Sequence, residues 1–237
     1  MNELKNIEII AFDGDDTLWV NESYYQETER LFCELLSDYS PAERVSEELF
    51  KIEVQNLTPY GYGAKAFTLS MIEAAIRISN GEISANQVSE IIKFGKQLID
   101  SPIELLGGVP EVLSELSRSY TLILATKGDL LDQERKLHKS GLEACFHHIE
   151  IMSDKQEANY RKLFNHLNTD PAHFLMVGNS LKSDILPVLN IGGQAVHVPY
   201  HTTWLHEELD KTALEDRHFH EIATLTELPL LLNRGLM

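Results

Sequence analysis

Cysteine is nearly missing from this chain: Cys33 and Cys145 are the only two in 237 residues. Both lie in apolar periodic surroundings, which points to buried free thiols and leaves little for a disulfide framework or a thiolate metal site. Long apolar runs are also missing, since stretches such as 121–125 and 185–189 are far too short to cross a bilayer, and no membrane partner is expected. Positive charge is scarce. Twenty Lys and Arg face 37 Asp and Glu, a formal net charge of −17 with no basic stripe, which argues against nucleic acid as a partner. The opening MNELKNIEII has no charged-then-apolar leader, so a cytoplasmic location is expected. What remains is an ordinary globular composition, 43% hydrophobic and 24% charged, long enough for one large domain or a core with a smaller insertion.

The most informative segment is IEIIAFDGDDTLW, residues 7–19. An apolar strand runs straight into Asp13-Gly14-Asp15-Asp16-Thr17. Three acids in four positions at the end of a buried strand need a cation, a proton or open water to tolerate one another. In an extended chain Asp13 and Asp15 point to the same side, so one can act as a carboxylate nucleophile while the other moves a proton, with Mg²⁺ screening both. A solvated acidic turn is the plain alternative. A calcium loop is excluded, because counting from Asp13 the sixth and twelfth positions hold Leu18 and Tyr24 instead of Gly and Glu.

Other short apolar runs follow at 121–125, 147–152, 174–177 and 194–198, separated mostly by helical patterns at 109–118, 130–141 and 156–167. This alternation predicts an α/β fold with a mostly parallel sheet, binding ligands at the carboxyl ends of its strands. Residues 20–104 break the rhythm with four helical patterns, about 22–39, 42–56, 64–79 and 84–100, which implies an all-helical insertion over the acidic turn. The expected domains are therefore a core of 1–19 and 105–237 and an inserted helical domain of 20–104. Pro59, Gly61 and Gly63 punctuate the insertion.

The other strand ends also carry polar groups. Thr126 closes one apolar strand and is followed by Lys127; Gly178-Asn179-Ser180 closes another, with Ser183 and Asp184 just beyond; Lys155 lies at the head of the helix leading into that second strand. Oxygen donors of this kind suit a hard cation. With these motifs in this order, the chain resembles the haloacid dehalogenase-like hydrolases over residues 7–198. The resemblance implies a Rossmann-like core with a helical cap, and a Mg²⁺-dependent phosphatase acting on a small phosphorylated metabolite.

By that resemblance Asp13 attacks phosphorus, Asp15 serves as acid and base, and Thr126 and Lys155 hold the phosphoryl oxygens. Metal donors would be Asp13, the Asp15 carbonyl, Asn179 and Asp184, with Thr17 supporting the loop. Most relatives carry an acid where this chain has Asn179, which keeps an oxygen donor and loses a charge, so weaker metal binding is expected. Asp184 is left three roles: binding the metal directly, binding it through water, or orienting Lys155. Lys155 is preferred to Lys162 as the phosphoryl-binding ammonium on family spacing. Lys127, Tyr62 and Lys65 are further substrate-binding candidates, the last two from the loop of the insertion that would recognise the leaving group. The ten histidines lack zinc-site spacing, and surface or packing roles are expected for them. Two other readings stay open: a mutase, and a catalytically impaired module that binds a phospholigand or a protein. The carbon-substituting dehalogenases are disfavoured, since their branch lacks an acid two residues after the nucleophile. Monomer and homodimer are equally open.

Overall fold

Short apolar strands separated by helices explain most of the architecture. The computed structural model describes residues 4–209, 214 and 217–234. Strands β1 (Ile9–Phe12), β2 (Thr121–Lys127), β3 (His148–Met152), β4 (Phe174–Gly178), β5 (Gln194–His197) and β6 (His220–Glu221) form one sheet in the order β3-β2-β1-β4-β5-β6. Every pairing is parallel. β1 is flanked by β2 on one side and β4 on the other, so the chain reverses its direction of winding there, the point at whose carboxyl end open α/β sheets form a ligand-binding crevice.

β1, β2 and β4 are buried on both faces, which is why they read as continuous apolar runs, whereas β3 at the sheet edge is largely half-buried and reads more weakly. Ile10 and Phe12 join Leu122, Leu124, Leu175 and Val177 under helices α5 (Val109–Leu116) and α9 (Leu228–Arg234). Ile9 and Ala11 face the other way, with Ile123, Phe174 and Met176, against α7 (Glu157–Leu167), which contributes Tyr160, Leu163 and Phe164. Each of the larger apolar side chains contributes about 1.5–3 kcal/mol on burial. Helices α6 (Leu130–Ser140) and α8 (Leu186–Asn190) complete the α/β alternation. β6 and α9 have no counterpart in the sequence reading, since two residues of strand and seven of helix are too short to leave a periodic signal.

Between β1 and α5 lie α1 (Glu22–Leu35), α2 (Ala42–Tyr60), α3 (Ala64–Ile78) and α4 (Ala85–Ile99). The chain divides into two compact units. One comprises Met1–Val20, Ile103–Lys127 and Gln133–Met237, and the other Asn21–Pro102 and Gly128–Asp132. The helical unit has its own core of Phe32, Leu36, Val45, Leu49, Phe67, Met71 and Ile91. Its α4 starts with a capping box between Ser84 and Gln87. Gly95 is required where α3 and α4 meet: a Cβ there would stand 2.0 Å from Thr68 Oγ1. α2 runs through Pro59 to Tyr60, beyond the end expected at 56. A proline in the last turn forfeits little of the ladder, and Gly61 with φ 72° ends the helix. Among the described residues no helix is long and apolar enough to cross a membrane.

Candidate active site

The carboxyl end of β1 delivers the first functional side chain. Asp13 N–H donates to the Val177 carbonyl at 2.9 Å, extending the β1 and β4 pairing by one residue and fixing where the acid emerges. Leu18 N–H then returns to the Gly14 carbonyl at 2.8 Å, and Asp16 takes a left-handed φ of 59°, a conformation that Asp tolerates better than most residues. Gly14 cannot be replaced cheaply, because a Cβ would meet the Trp19 ring at 2.6 Å and Thr126 Oγ1 at 3.4 Å.

Asp13 is buried, and its Oδ1 accepts from Lys155 Nζ at 2.5 Å. The same ammonium donates to Asp184 Oδ1 at 2.6 Å, while Asp184 Oδ2 accepts from the Ser180 N–H at 3.0 Å. Lys155 is therefore shared between two carboxylates from two different strand ends. Gly178 makes this possible, since a Cβ there would stand 2.3 Å from Asp184 Oδ2. Burial pushes the Asp13 carboxyl up to about 7, opposed by Lys155 and reinforced by Asp184 and Asp15. Burial works to lower Lys155, but the two carboxylates beside it outweigh that and hold it above its ordinary value, so it remains a cation.

Asp15 sits in a different setting. Its Oδ1 accepts from Trp19 Nε1 at 2.7 Å and Lys136 Nζ at 2.9 Å, and its Oδ2 from Gln133 Nε2 at 2.9 Å and Lys136 Nζ at 3.0 Å. Burial alone would raise its carboxyl; Lys136 and these hydrogen bonds hold it below the ordinary value. Asp13 and Asp15, two residues apart, are thus driven in opposite directions, a separation suited to unlike roles.

Across from them, one end of the Asn179 amide faces Asp13 Oδ2 at 3.2 Å and the Asp15 carbonyl oxygen at 3.3 Å. With nitrogen at that end the amide donates to both. With oxygen there, three oxygen donors converge with no proton among them, a set that fits a hard divalent cation. Thr126 Oγ1 is buried and has no hydrogen-bond partner among the described residues. A buried hydroxyl left in that state is costly unless a ligand oxygen completes it.

Asp13, Asp15, Thr126, Lys155, Asn179 and Asp184 all lie at strand ends or in the first turn beyond one, as the spacing predicts. Lys127 is directed to Ser183 Oγ at 2.9 Å and to Glu207 Oε1 at 2.5 Å. Tyr62 and Lys65 belong to the helical unit, where Lys65 Nζ pairs with Asp129 Oδ2 at 2.8 Å. Three participants, Gln133, Lys136 and Glu207, escaped the sequence reading, and a fourth, His197, is one of the histidines for which surface or packing roles are expected. Gln133 and Lys136 stand one turn apart on α6, directly after β2, and that spacing was the available signal. His197 is buried, with Nε2 3.0 Å from the Asn179 carbonyl oxygen and Nδ1 2.8 Å from Glu221 Oε2. Glu207, one of three acids in the segment 207–210 beyond β5, gave no pattern to read.

Comparisons with known proteins place the chain in a family and agree with the fold. A family model described as a haloacid dehalogenase-like hydrolase matches residues 7–192. A haloacid dehalogenase-like family hydrolase from Xanthomonas campestris is 34% identical, with a TM-score of 0.85 over 97% of this chain and 94% of that one. N-acylneuraminate-9-phosphatase of Mus musculus is 26% identical over 97% of this chain and 95% of its own length. The 2-haloacid dehalogenase of Pseudomonas syringae, at 19% identity, shares the fold, with a TM-score of 0.64 over 96% of this chain and 99% of that one.

Proposed function

The chain belongs to the haloacid dehalogenase-like hydrolases, and we propose that within that family it is a phosphatase that cleaves a small phosphomonoester through an aspartyl-phosphate on Asp13. The observation that carries this reading is the grouping of a buried carboxylate, the Lys155 ammonium and the orphaned Thr126 hydroxyl: a nucleophile beside two groups that bind phosphoryl oxygens. The phosphatase among its relatives adds support.

In the first step an Asp13 carboxylate oxygen forms a bond to phosphorus and the bond from phosphorus to the leaving oxygen breaks. Lys155 and Thr126 stabilise charge on the transferring group, and Asp15 supplies the proton to the leaving oxygen. In the second step Asp15 takes a proton from water, whose oxygen bonds to phosphorus, and Asp13 is released with inorganic phosphate. The donors around Asp15 favour the ionised form needed for this second step; the acid half of the cycle works against them. Mg²⁺ would be held by Asp13 Oδ2, the Asp15 carbonyl and the Asn179 oxygen, and when bound it supplies charge stabilisation on the phosphoryl group. Asp184, engaged by Lys155 and the Ser180 N–H, orients the lysine.

A second reading, a phospholigand-binding module with little turnover, is favoured by the four donor contacts on Asp15 and by the neutral Asn179. A panel of phosphomonoesters, including N-acylneuraminate 9-phosphate, assayed with Mg²⁺ and with chelator, separates the two. Phosphate release above an Asp13→Asn control is expected, and halide release from 2-haloacids is not. If no substrate gives phosphate above that control, the hydrolase reading is lost.

A further inference from the structure

Glu207 lies outside every motif identified from the sequence, yet it ties three strand ends together. Its side chain is 12% exposed and that of Lys127 16%. Oε1 accepts from Lys127 Nζ at 2.5 Å; Oε2 accepts from Ser180 Oγ at 2.6 Å and from Ser183 Oγ at 2.5 Å. Lys182 Nζ fastens the same segment by donating to the His206 carbonyl at 2.6 Å. We propose that Glu207 is a positioning residue that holds the Lys127 ammonium against the Ser180–Ser183 turn, keeping a second cation off the phosphoryl group bound by Thr126 and Lys155. The inference rests on the phosphoryl-transfer reading above.

The physical case is one of charge balance. Lys127 follows Thr126 directly, and an ammonium on a four-carbon stem at that position has the reach of a phosphate ligand. A cation that binds substrate, transition state and product phosphate equally does not lower the chemical barrier and slows product release. Glu207 compensates it. Burial would raise the Glu207 carboxyl, but Lys127 and the hydrogen bonds from Lys127, Ser180 and Ser183 bring it down to about 2, so the compensating charge is present throughout the neutral range.

The test is a cycle of Glu207→Gln, Lys127→Met and the double variant, titrated calorimetrically with inorganic phosphate in the presence of Mg²⁺. Glu207→Gln keeps an oxygen that accepts from the two serines and removes the charge facing Lys127. Its affinity for phosphate is expected to rise on the order of tenfold, the scale of one charge-assisted hydrogen bond. Adding Lys127→Met should abolish that gain, while Glu207→Asp, which keeps the charge, should stay near wild type. In turnover, kcat and KM of Glu207→Gln should fall together as product release becomes limiting. Loss of a merely structural brace would not tighten phosphate binding. An unchanged or weakened affinity in Glu207→Gln, or a gain that survives Lys127→Met, overturns the proposal. Glu207→Met provides the same comparison if Glu207→Gln is not folded by circular dichroism. Failure of the phosphatase reading is seen separately, as absence of phosphate release by the wild type.

Discussion

The sheet unit and the helical unit handle buried acid in opposite ways. In the sheet unit four acids at or just beyond the strand ends lie against lysines: Asp13 and Asp184 against Lys155, Asp15 against Lys136, Glu207 against Lys127. In the helical unit Glu53 sits among its own kind, and burial, then Glu29 and Glu22, push its carboxyl up to about 8. Pairing gives a carboxylate a fixed position and a defined ionisation state, which is what chemistry requires. Crowding without a partner gives only a liability that varies with pH. The difference marks which unit is built to react.

The comparison breaks most visibly at Lys155. Replacing it with Met leaves Asp13 and Asp184 buried and facing each other, and removing one partner of such a cluster costs about 3–5 kcal/mol. Urea unfolding should show that loss together with loss of phosphate release. A cost below about 1 kcal/mol would mean that the cluster is not dry enough for pairing to matter.

Asn179→Asp sharpens the same point with a smaller effect. In chelator the variant loses two amide bonds to buried acceptors and gains a fourth acid, a destabilisation of about 1–3 kcal/mol. Mg²⁺ should then raise its thermal midpoint by more than it raises that of the wild type. An equal rise in both proteins would place the cation elsewhere.

Glu53→Gln probes the other unit. Because its folded-state value lies above the unfolded one, Glu53 binds its proton more tightly in the folded chain between pH 4.5 and about 8, so stability falls as pH rises through that window. Removing the charge should stabilise the protein by about 1 kcal/mol more at pH 8 than at pH 5, after discounting for solvent screening of a half-buried group. Glu207 has the opposite sign. Its depressed value means that its contribution, complete above pH 4.5, is lost as pH falls toward 2.

The parts of this arrangement that could be read from sequence share a cause. β1 and β4 are continuous apolar runs because both faces are buried, and the polar residue that ends each run is the one presented at the crevice, so Asp13 and Asn179 are visible as interruptions. Lys155 and Asp184 are visible because a helix start and a turn lie at short, countable distances from those strands. Lys136 and Glu207 are invisible for the converse reason. A lysine on a helix face and a glutamate in a loop look like solvated surface until tertiary packing shows what they touch. Asn179 was legible as a missing charge, but its second capacity, donating to Asp13 and the Asp15 carbonyl, depends on a distance that no spacing reveals.

Lys65 gives the smallest expected effect on stability and tests whether the helical unit contributes to recognition. Its ammonium pairs with Asp129, but with side-chain exposures of 54% and 26% the pair is largely solvated and worth no more than about 0.5 kcal/mol. Lys65→Ala should therefore leave the urea midpoint nearly unchanged. A residue that reads the leaving group should show instead in KM, which is expected to rise on the order of threefold for the best substrate of the panel, with kcat and inorganic phosphate affinity as in wild type. Phosphate has no leaving group to recognise, so a parallel loss of phosphate affinity would assign Lys65 to the phosphoryl group itself and make the helical unit part of the charge balance described for the sheet.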